Sequence, residues 1–229
     1  IGTHIKSCGG VKDRDFVELN SDIQAVNRKA FAKLNFDIQE LNKKTFAVLD
    51  TTQAEIMQKK IAETAQKGDS IGGVLETAII NMPAGVGEPW FDTIEGVLAH
   101  ALFSIPAIKG VQFGDAFDMV DNYGSQYNDI FRMQDNHVIT ETNHNAGING
   151  GITNGMPILF RCAVKPTPSI YQAQKTINFF ENQNADLQIK GRHDPAIIHR
   201  ARIVVDSITA LVLCDILSGR YGTDWLAQV

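Results

Sequence analysis

The sequence predicts an α+β fold, with helices layered against antiparallel strands. Three observations carry this expectation. Helical and extended patterns have similar weight along the 229 residues, they do not alternate as regular β-α-β units, and no Gly-rich dinucleotide turn follows an early strand as a doubly wound sheet would require. The length is sufficient for a substantial buried core.

Taken in order, the opening IGTHIKSCGG reads as the middle of a strand, and the start at Ile1 suggests a piece of a longer protein. Between Ser21 and Asp50 a segment repeats with an offset of 15, DIQAVNRKAFA at Asp22–Ala32 returning as DIQELNKKTFA at Asp37–Ala47. Apolar residues at helical spacing (Ile23, Val26, Phe31, Leu34; Ile38, Leu41, Phe46, Leu49) predict two short amphipathic helices, with Asp37 and Glu40 as a capping pair. This duplication, at about 21–50, reads as a surface insertion or an oligomer contact in a single domain, rather than as part of a catalytic site.

Thr52 and Glu55 form the pattern of a capping box for a helix stopping at Gly68, with Met57, Ile61 and Ala65 as its buried stripe. A strand is expected over Gly73–Ile80. After a loop punctuated by Pro83, Gly85, Gly87 and Pro89, Asp92 and Glu95 should cap a helix carrying Ile94, Val97, Leu98, Ala101 and Leu102 and ending before Pro106. Asp115–Gln134 is polar and shows no period. Pro157–Lys165 alternates, with Ile158, Phe160, Cys162 and Val164 on one side of a half-buried strand. The last long helix should start with Asp194 as N-cap and Pro195 at its first position, and bury Ile197, Ala201, Val204, Ile208, Leu211 and Val212 before a stop at Gly219.

The net charge of −5 and scattered Lys and Arg exclude the electrostatic footprint of a nucleic-acid or anionic-membrane binder. Small molecules and copies of the same chain are the expected partners. Cys8, Cys162 and Cys214 lack C-x-x-C spacing, so neither a disulfide framework nor a metal site is expected, and a reducing cytoplasm suits them. Ile203–Leu217 is interrupted by Asp206 and Asp215, which argues against a membrane span, and no signal segment is evident.

Three blocks carry chemical potential. Asn145-Ala-Gly-Ile-Asn-Gly-Gly-Ile-Thr-Asn-Gly-Met-Pro157 offers main chain poor in side chains, whose N–H groups can approach a phosphate or a flat ring. Lys165-Pro-Thr-Pro-Ser169 places a cation and two hydroxyls on a frame stiffened by two prolines. Lys190-Gly-Arg-His-Asp-Pro195 puts Arg192 beside an expected helix N-terminus, where anions are favoured.

Together with Gly68-Asp-Ser-Ile-Gly-Gly73, Gly85-Val-Gly-Glu-Pro-Trp-Phe-Asp92 and Ser104-Ile-Pro-Ala-Ile-Lys-Gly110, these blocks resemble chorismate synthase from about Thr45 to Asp215. The resemblance implies a lyase of the shikimate pathway of aromatic amino acid biosynthesis, eliminating phosphate 1,4-anti from 5-enolpyruvylshikimate 3-phosphate with reduced FMN, NADPH being its direct or indirect reductant. It further implies a cytoplasmic homotetramer with a layered sandwich of helices and antiparallel sheets. Flavin contacts carried over are Pro106, Ala107, Gly150, Lys165, Pro166, Thr167, Pro168, Ser169 and Arg192; Asp194 takes the place of the family's acid near flavin N5.

Three departures bear on activity. The family's N-terminal region, with its F-G-E-S-H-G motif, histidine acids and several phosphate-binding arginines, is absent before Ile1, and none of the six histidines matches those acids, so the chain alone is expected to be inactive. Val48-Leu-Asp50 stands where the family often has Arg-Cys-Pro-Asp, and Pro168 where it has serine. A naturally truncated, non-catalytic flavin-binding domain is the alternative.

Overall fold

A computed structural model describes residues 1–16, 28–134 and 136–223. Its centre is a five-stranded antiparallel sheet in the order β2-β1-β3-β9-β4, built from β1 (Gly2–Cys8), β2 (Val11–Lys12), β3 (Gly73–Ile79), β4 (Ile108–Phe113) and β9 (Ile158–Val164). Ile158, Phe160, Cys162 and Val164 are all buried, as their alternation predicts. They face a layer formed by α2 (Thr51–Gln66), α3 (Ile94–Phe103) and α6 (Ile198–Tyr221), which together enclose the larger core. On the other face α1 (Arg28–Leu41) lays Leu34, Ile38 and Leu41 over Ala78.

Smaller elements decorate this frame: α4 (Ala116–Met119), α5 (Gly124–Tyr127), a 3₁₀ turn at Trp90–Asp92, and three hairpins. The hairpins are β5–β6 (Phe131–Gln134, His137–Thr140), β7–β8 (Ile148–Asn149, Ile152–Thr153) and β10–β11 (Gln174–Asn178, Gln183–Leu187). No helix among the described residues is long and apolar enough to cross a membrane.

Helix starts differ from expectation where a neighbouring side chain caps better. Asp50, not Thr52, caps α2, its carboxylate accepting from the N–H groups of Thr52 (2.7 Å) and Gln53 (3.4 Å). Within α2, Met57 and Thr64 are buried, while Ala65 is exposed. Thr93, not Asp92, caps α3 through Gly96 N–H at 2.9 Å. Among the described residues one helix, α1, runs across the join of the repeat; Asp37 lies inside it, ion-paired with Arg14 at 3.0 Å rather than capping. The first copy's residues Asp22–Asn27 lie outside the described set.

The buried stripe of α6 is Ile198, Ala201, Arg202, Val205, Thr209 and Leu213, out of step with the apolar reading, and Val204 and Leu211 are exposed. The reason is polar. Arg202 donates to the Thr3 carbonyl at 2.8 Å and to Asn42 Oδ1 at 2.6 Å, and Asp206 accepts from the Thr3 hydroxyl at 2.6 Å. These bonds turn a polar edge of α6 toward β1, and burial raises the Asp206 carboxyl above its ordinary pKa despite Thr3 and Arg202.

The sheet face opposite α6 carries charge. Register aligns His4, Glu76, Arg161 and Gln112 in one cross-strand row. His4 is fully buried, with Nδ1 3.0 Å from Asp13 and Nε2 3.0 Å from Glu76. Arg161 continues the row to Glu76 (2.9 Å) and Asp15 (2.8 Å), and Lys6 also reaches Asp15 at 2.8 Å. Burial opposes the charged form of His4, but the Asp13 and Glu76 hydrogen bonds outweigh it and raise the pKa. Burial likewise opposes ionised Glu76, yet His4, the Phe16 N–H and Arg161 hold it at about 2. Asp13, favoured by His4 and the N–H groups of Leu49 and Asp50, is also lowered.

The signs define a window. The contribution of His4 is complete below its ordinary 6.5 and lost as pH rises through the raised value, whereas that of Glu76 is complete above its ordinary 4.5 and lost as pH falls toward about 2. Denaturant unfolding should therefore show greatest stability between these limits. His4→Ala, which strands two buried carboxylates, should cost about 3 kcal/mol at pH 6 and abolish the decline on the alkaline side. A variant as stable as the parent across this range would contradict the account.

Candidate functional site

Four chain segments meet where β9 ends and α6 begins. Lys165 N–H, just past β9, donates to the Ala107 carbonyl at 2.9 Å, docking the turn after α3 onto the Lys165–Ser169 segment. Ala107 adopts a left-handed φ of 74° there. The Ser70 hydroxyl donates to the Thr167 carbonyl at 2.6 Å, and Ile71 N–H to the Pro195 carbonyl at 2.8 Å. Ser169 Oγ lies 2.9 Å from His193 Nδ1, joining the Lys165–Ser169 and Lys190–Pro195 segments.

Two glycines permit this packing. A Cβ on Gly72 would sit 2.3 Å from the Val164 carbonyl oxygen and 2.9 Å from Pro166 N; one on Gly73 would sit 2.0 Å from the Ser7 carbonyl oxygen. The glycines of the Gly68–Gly73 block thus serve close approach of main chains.

Within the cluster, charges are matched unequally. Lys165 and Arg192 are exposed, and no ion pair or hydrogen bond engages either side chain among the described residues. Thr167 Oγ1 is buried without a partner among the described residues, an arrangement that costs free energy unless a bound group or water supplies one. Pro166 and Pro168 frame it, and the Pro168 carbonyl accepts from Gln174 Nε2 at 2.9 Å.

Asp194 corrects the expectation made for it. The first helical residue is Ile198, and the cap residue Ile197 makes no side-chain cap bond. Asp194 and Pro195 precede the helix, and Asp194 receives Arg200 at 2.8 and 3.3 Å. The Pro195 carbonyl is committed to Ile71, so the chain is held in a turn before the helix can begin. Arg192 accordingly stands outside the first turn of α6.

Gly150 does not join the cluster within the chain. The Gly151 carbonyl accepts from Ile94 N–H at 3.0 Å, so the β7–β8 turn sits at the start of α3. Pro106 and Ala107 follow its other end, about 15 Å away along a ten-residue helix.

A cleft of about 800 Å³ lies instead over the charged sheet face, lined by Lys6, Lys12, Asp15, Gln112, Phe117 and Arg161. A second void of about 20 Å³ borders Glu76 and Asn143. Neither is lined by Lys165 or Arg192. Sequence reasoning passed over His4, Glu76 and Arg161 because strand pairing alone unites them. The available signal was parity, since each charge occupies the strand position opposite to the apolar face.

The family model described as Chorismate synthase matches residues 2–217. The chain belongs to the chorismate synthase family. It is 49% identical over 165 residues to the chorismate synthase of Dehalococcoides mccartyi, covering 72% of this chain and 45% of that protein. Identity to the chorismate synthase of Methanobrevibacter smithii is 48% over 162 residues, covering 71% and 44%. A crystal structure of a chorismate synthase superposes with TM-score 0.73 at 29% identity, over 96% of this chain and 57% of that one. The expected α+β class is therefore the family's own, and the chain spans about half the length of the curated chorismate synthases it matches.

The two kinds of glycine should separate by mutation. Gly72→Ala forces a Cβ into main chain and should destabilise by about 3 kcal/mol. Gly150→Ala meets open space and incurs only the left-handed backbone cost at φ 60°, about 1 kcal/mol. Equal losses in chemical unfolding would show that Gly72 does not mark a close approach.

Proposed function

We propose that this chain forms the flavin-holding part of a chorismate synthase, which converts 5-enolpyruvylshikimate 3-phosphate to chorismate with release of phosphate. The observation carrying this reading is the cluster at the start of α6, where two cations unpaired among the described residues, Lys165 and Arg192, accompany a buried Thr167 hydroxyl that has no partner among them. That donor set fits an anionic, hydrogen-bonding cofactor such as FMN. When bound, reduced FMN supplies an electron-rich ring that stabilises positive charge developing as an allylic phosphate departs.

The chain's own residues bind and orient. Lys165 and Arg192 attract phosphate, Thr167 and Ser169 offer short hydrogen bonds, and Pro106 with Ala107 shapes one wall through the Ala107–Lys165 contact. Asp194, whose carboxylate pairs with Arg200, is the acid this reading assigns to proton movement beside the cofactor. The reading extends to NADPH as source of reducing equivalents, a homotetramer in which Gly150 serves the same cofactor, and a cytoplasmic setting. Because the chain spans about half of its relatives' length, the 229 residues alone should hold flavin without turning over substrate.

Titration with FMN, followed by flavin absorbance, tests the first step. Lys165→Ala and Arg192→Ala should each weaken binding about tenfold, and a parent chain that leaves the spectrum unchanged would defeat the reading. Anaerobic phosphate release, compared between this chain and one extended to the relatives' length, tests the second. In the extended protein Asp194→Asn should depress turnover at least tenfold while changing stability by under about 1 kcal/mol, since it loosens only a part-exposed ion pair. Full turnover in that variant would remove Asp194 from the chemistry.

A further inference from the structure

His193 is held at both ring nitrogens. Nε2 lies 3.2 Å from the Ile189 carbonyl oxygen and Nδ1 2.9 Å from Ser169 Oγ. The ring is packed edge to face with Tyr171, centroids 4.4 Å apart, and Tyr171 N–H is itself fixed to the Gly68 carbonyl at 3.0 Å. The imidazole is therefore confined by contacts on three sides.

For the neutral ring, the Ile189 carbonyl assigns the tautomer. A carbonyl oxygen can only accept, so Nε2 carries the proton. In the neutral ring Nδ1 is then bare, and the single hydrogen of Ser169 must point at it. What Ser169 has left for anything else is a pair of lone pairs. An unassisted serine would donate or accept as its partner required; this one has lost that freedom.

We propose that His193 is a positioning residue that commits Ser169 to accept, so that this point of the site selects an N–H or O–H group on the bound molecule. A ligand carbonyl placed there would face lone pairs and leave both acceptors unsatisfied, the kind of mismatch from which polar sites draw discrimination. The inference rests on the flavin reading above and deepens it: the imide N–H of the flavin ring is a group of the required kind.

Two measurements on the full chain test it. The first needs no ligand: with ¹⁵N-labelled histidine, the ring shifts of His193 should report the Nε2–H tautomer, and an Nδ1–H tautomer would overturn the inference. The second compares FMN with its N3-methyl analogue, which lacks the imide N–H. The parent should prefer FMN about tenfold, and Ser169→Ala and His193→Phe should each erase that preference, the latter keeping the ring's bulk against Tyr171. The double variant should lose no more than either single one. His193→Asn, which retains an acceptor near the Nδ1 position, should keep most of the preference.

A His193→Phe variant that still discriminates would refute the positioning role. So would a parent that binds FMN and the methylated analogue equally, which leaves the flavin reading intact. A parent that binds neither removes the flavin reading and this inference with it.

Discussion

Strand β3 is hydrogen-bonded along both edges and covered on both faces, and most of the structure follows from satisfying it. Its residues from Leu75 to Ile79 are all buried, so each must be solvated by the protein on the side its Cβ points to. Leu75 and Ile79 join the core beneath α6 and α3, while Ala78 lies under α1. Glu76 is the costly member. A carboxylate in that position requires donors, and it receives His4 from β1, Arg161 from β9 and the Phe16 N–H. The charged row across the outer face is the consequence of placing one acid in a central strand.

The same strand governs the candidate site. It begins at Gly73, immediately preceded by Gly72, and at both positions neighbouring main chain occupies the space a side chain would need. The end of β9 is thereby pressed against the start of β3, which sets where Lys165–Ser169 must run. Ser70 and Ile71 then reach outward to Thr167 and Pro195. Loops stiffened by Pro166 and Pro168 stand on the sheet's end as on a rigid base, the arrangement in which binding residues keep their geometry. Asp194 is already matched by Arg200, and among the described residues the cations Lys165 and Arg192 are left over.

Legibility in the sequence followed the local signal. Strand β9 was readable because its alternation is strict and both neighbours demand one apolar face. The helix α3 was readable in phase at Ile94, Leu98 and Leu102. Helix α6 was found, but its start and its buried side were not. Apolar residues occur nearly all round it, so period alone could not show that Arg202 and Asp206 lie on or beside the inner edge, where Thr3 and Asn42 await them, or that Thr209 is buried there. Asp194-Pro195 has the form of a helix entry, yet each is bound to something else, Arg200 and Ile71. The repeat predicted two helices because its copies are alike, whereas α1 crosses from one copy into the next.

By itself the sequence determined the family and the composition of the loops, since those depend on residue types at short spacing: glycines that tolerate close main chain, prolines that stiffen, cations at fixed offsets. It also determined which strand faces are apolar. Tertiary structure alone decided which distant segments meet: His4 with Glu76, Ser169 with His193, Ala107 with Lys165, and Gly150 set apart at the far end of α3. The physical reason is that a pattern along the chain encodes a residue's preference for burial or solvent, while partners are chosen by strand register and by the end at which each helix emerges.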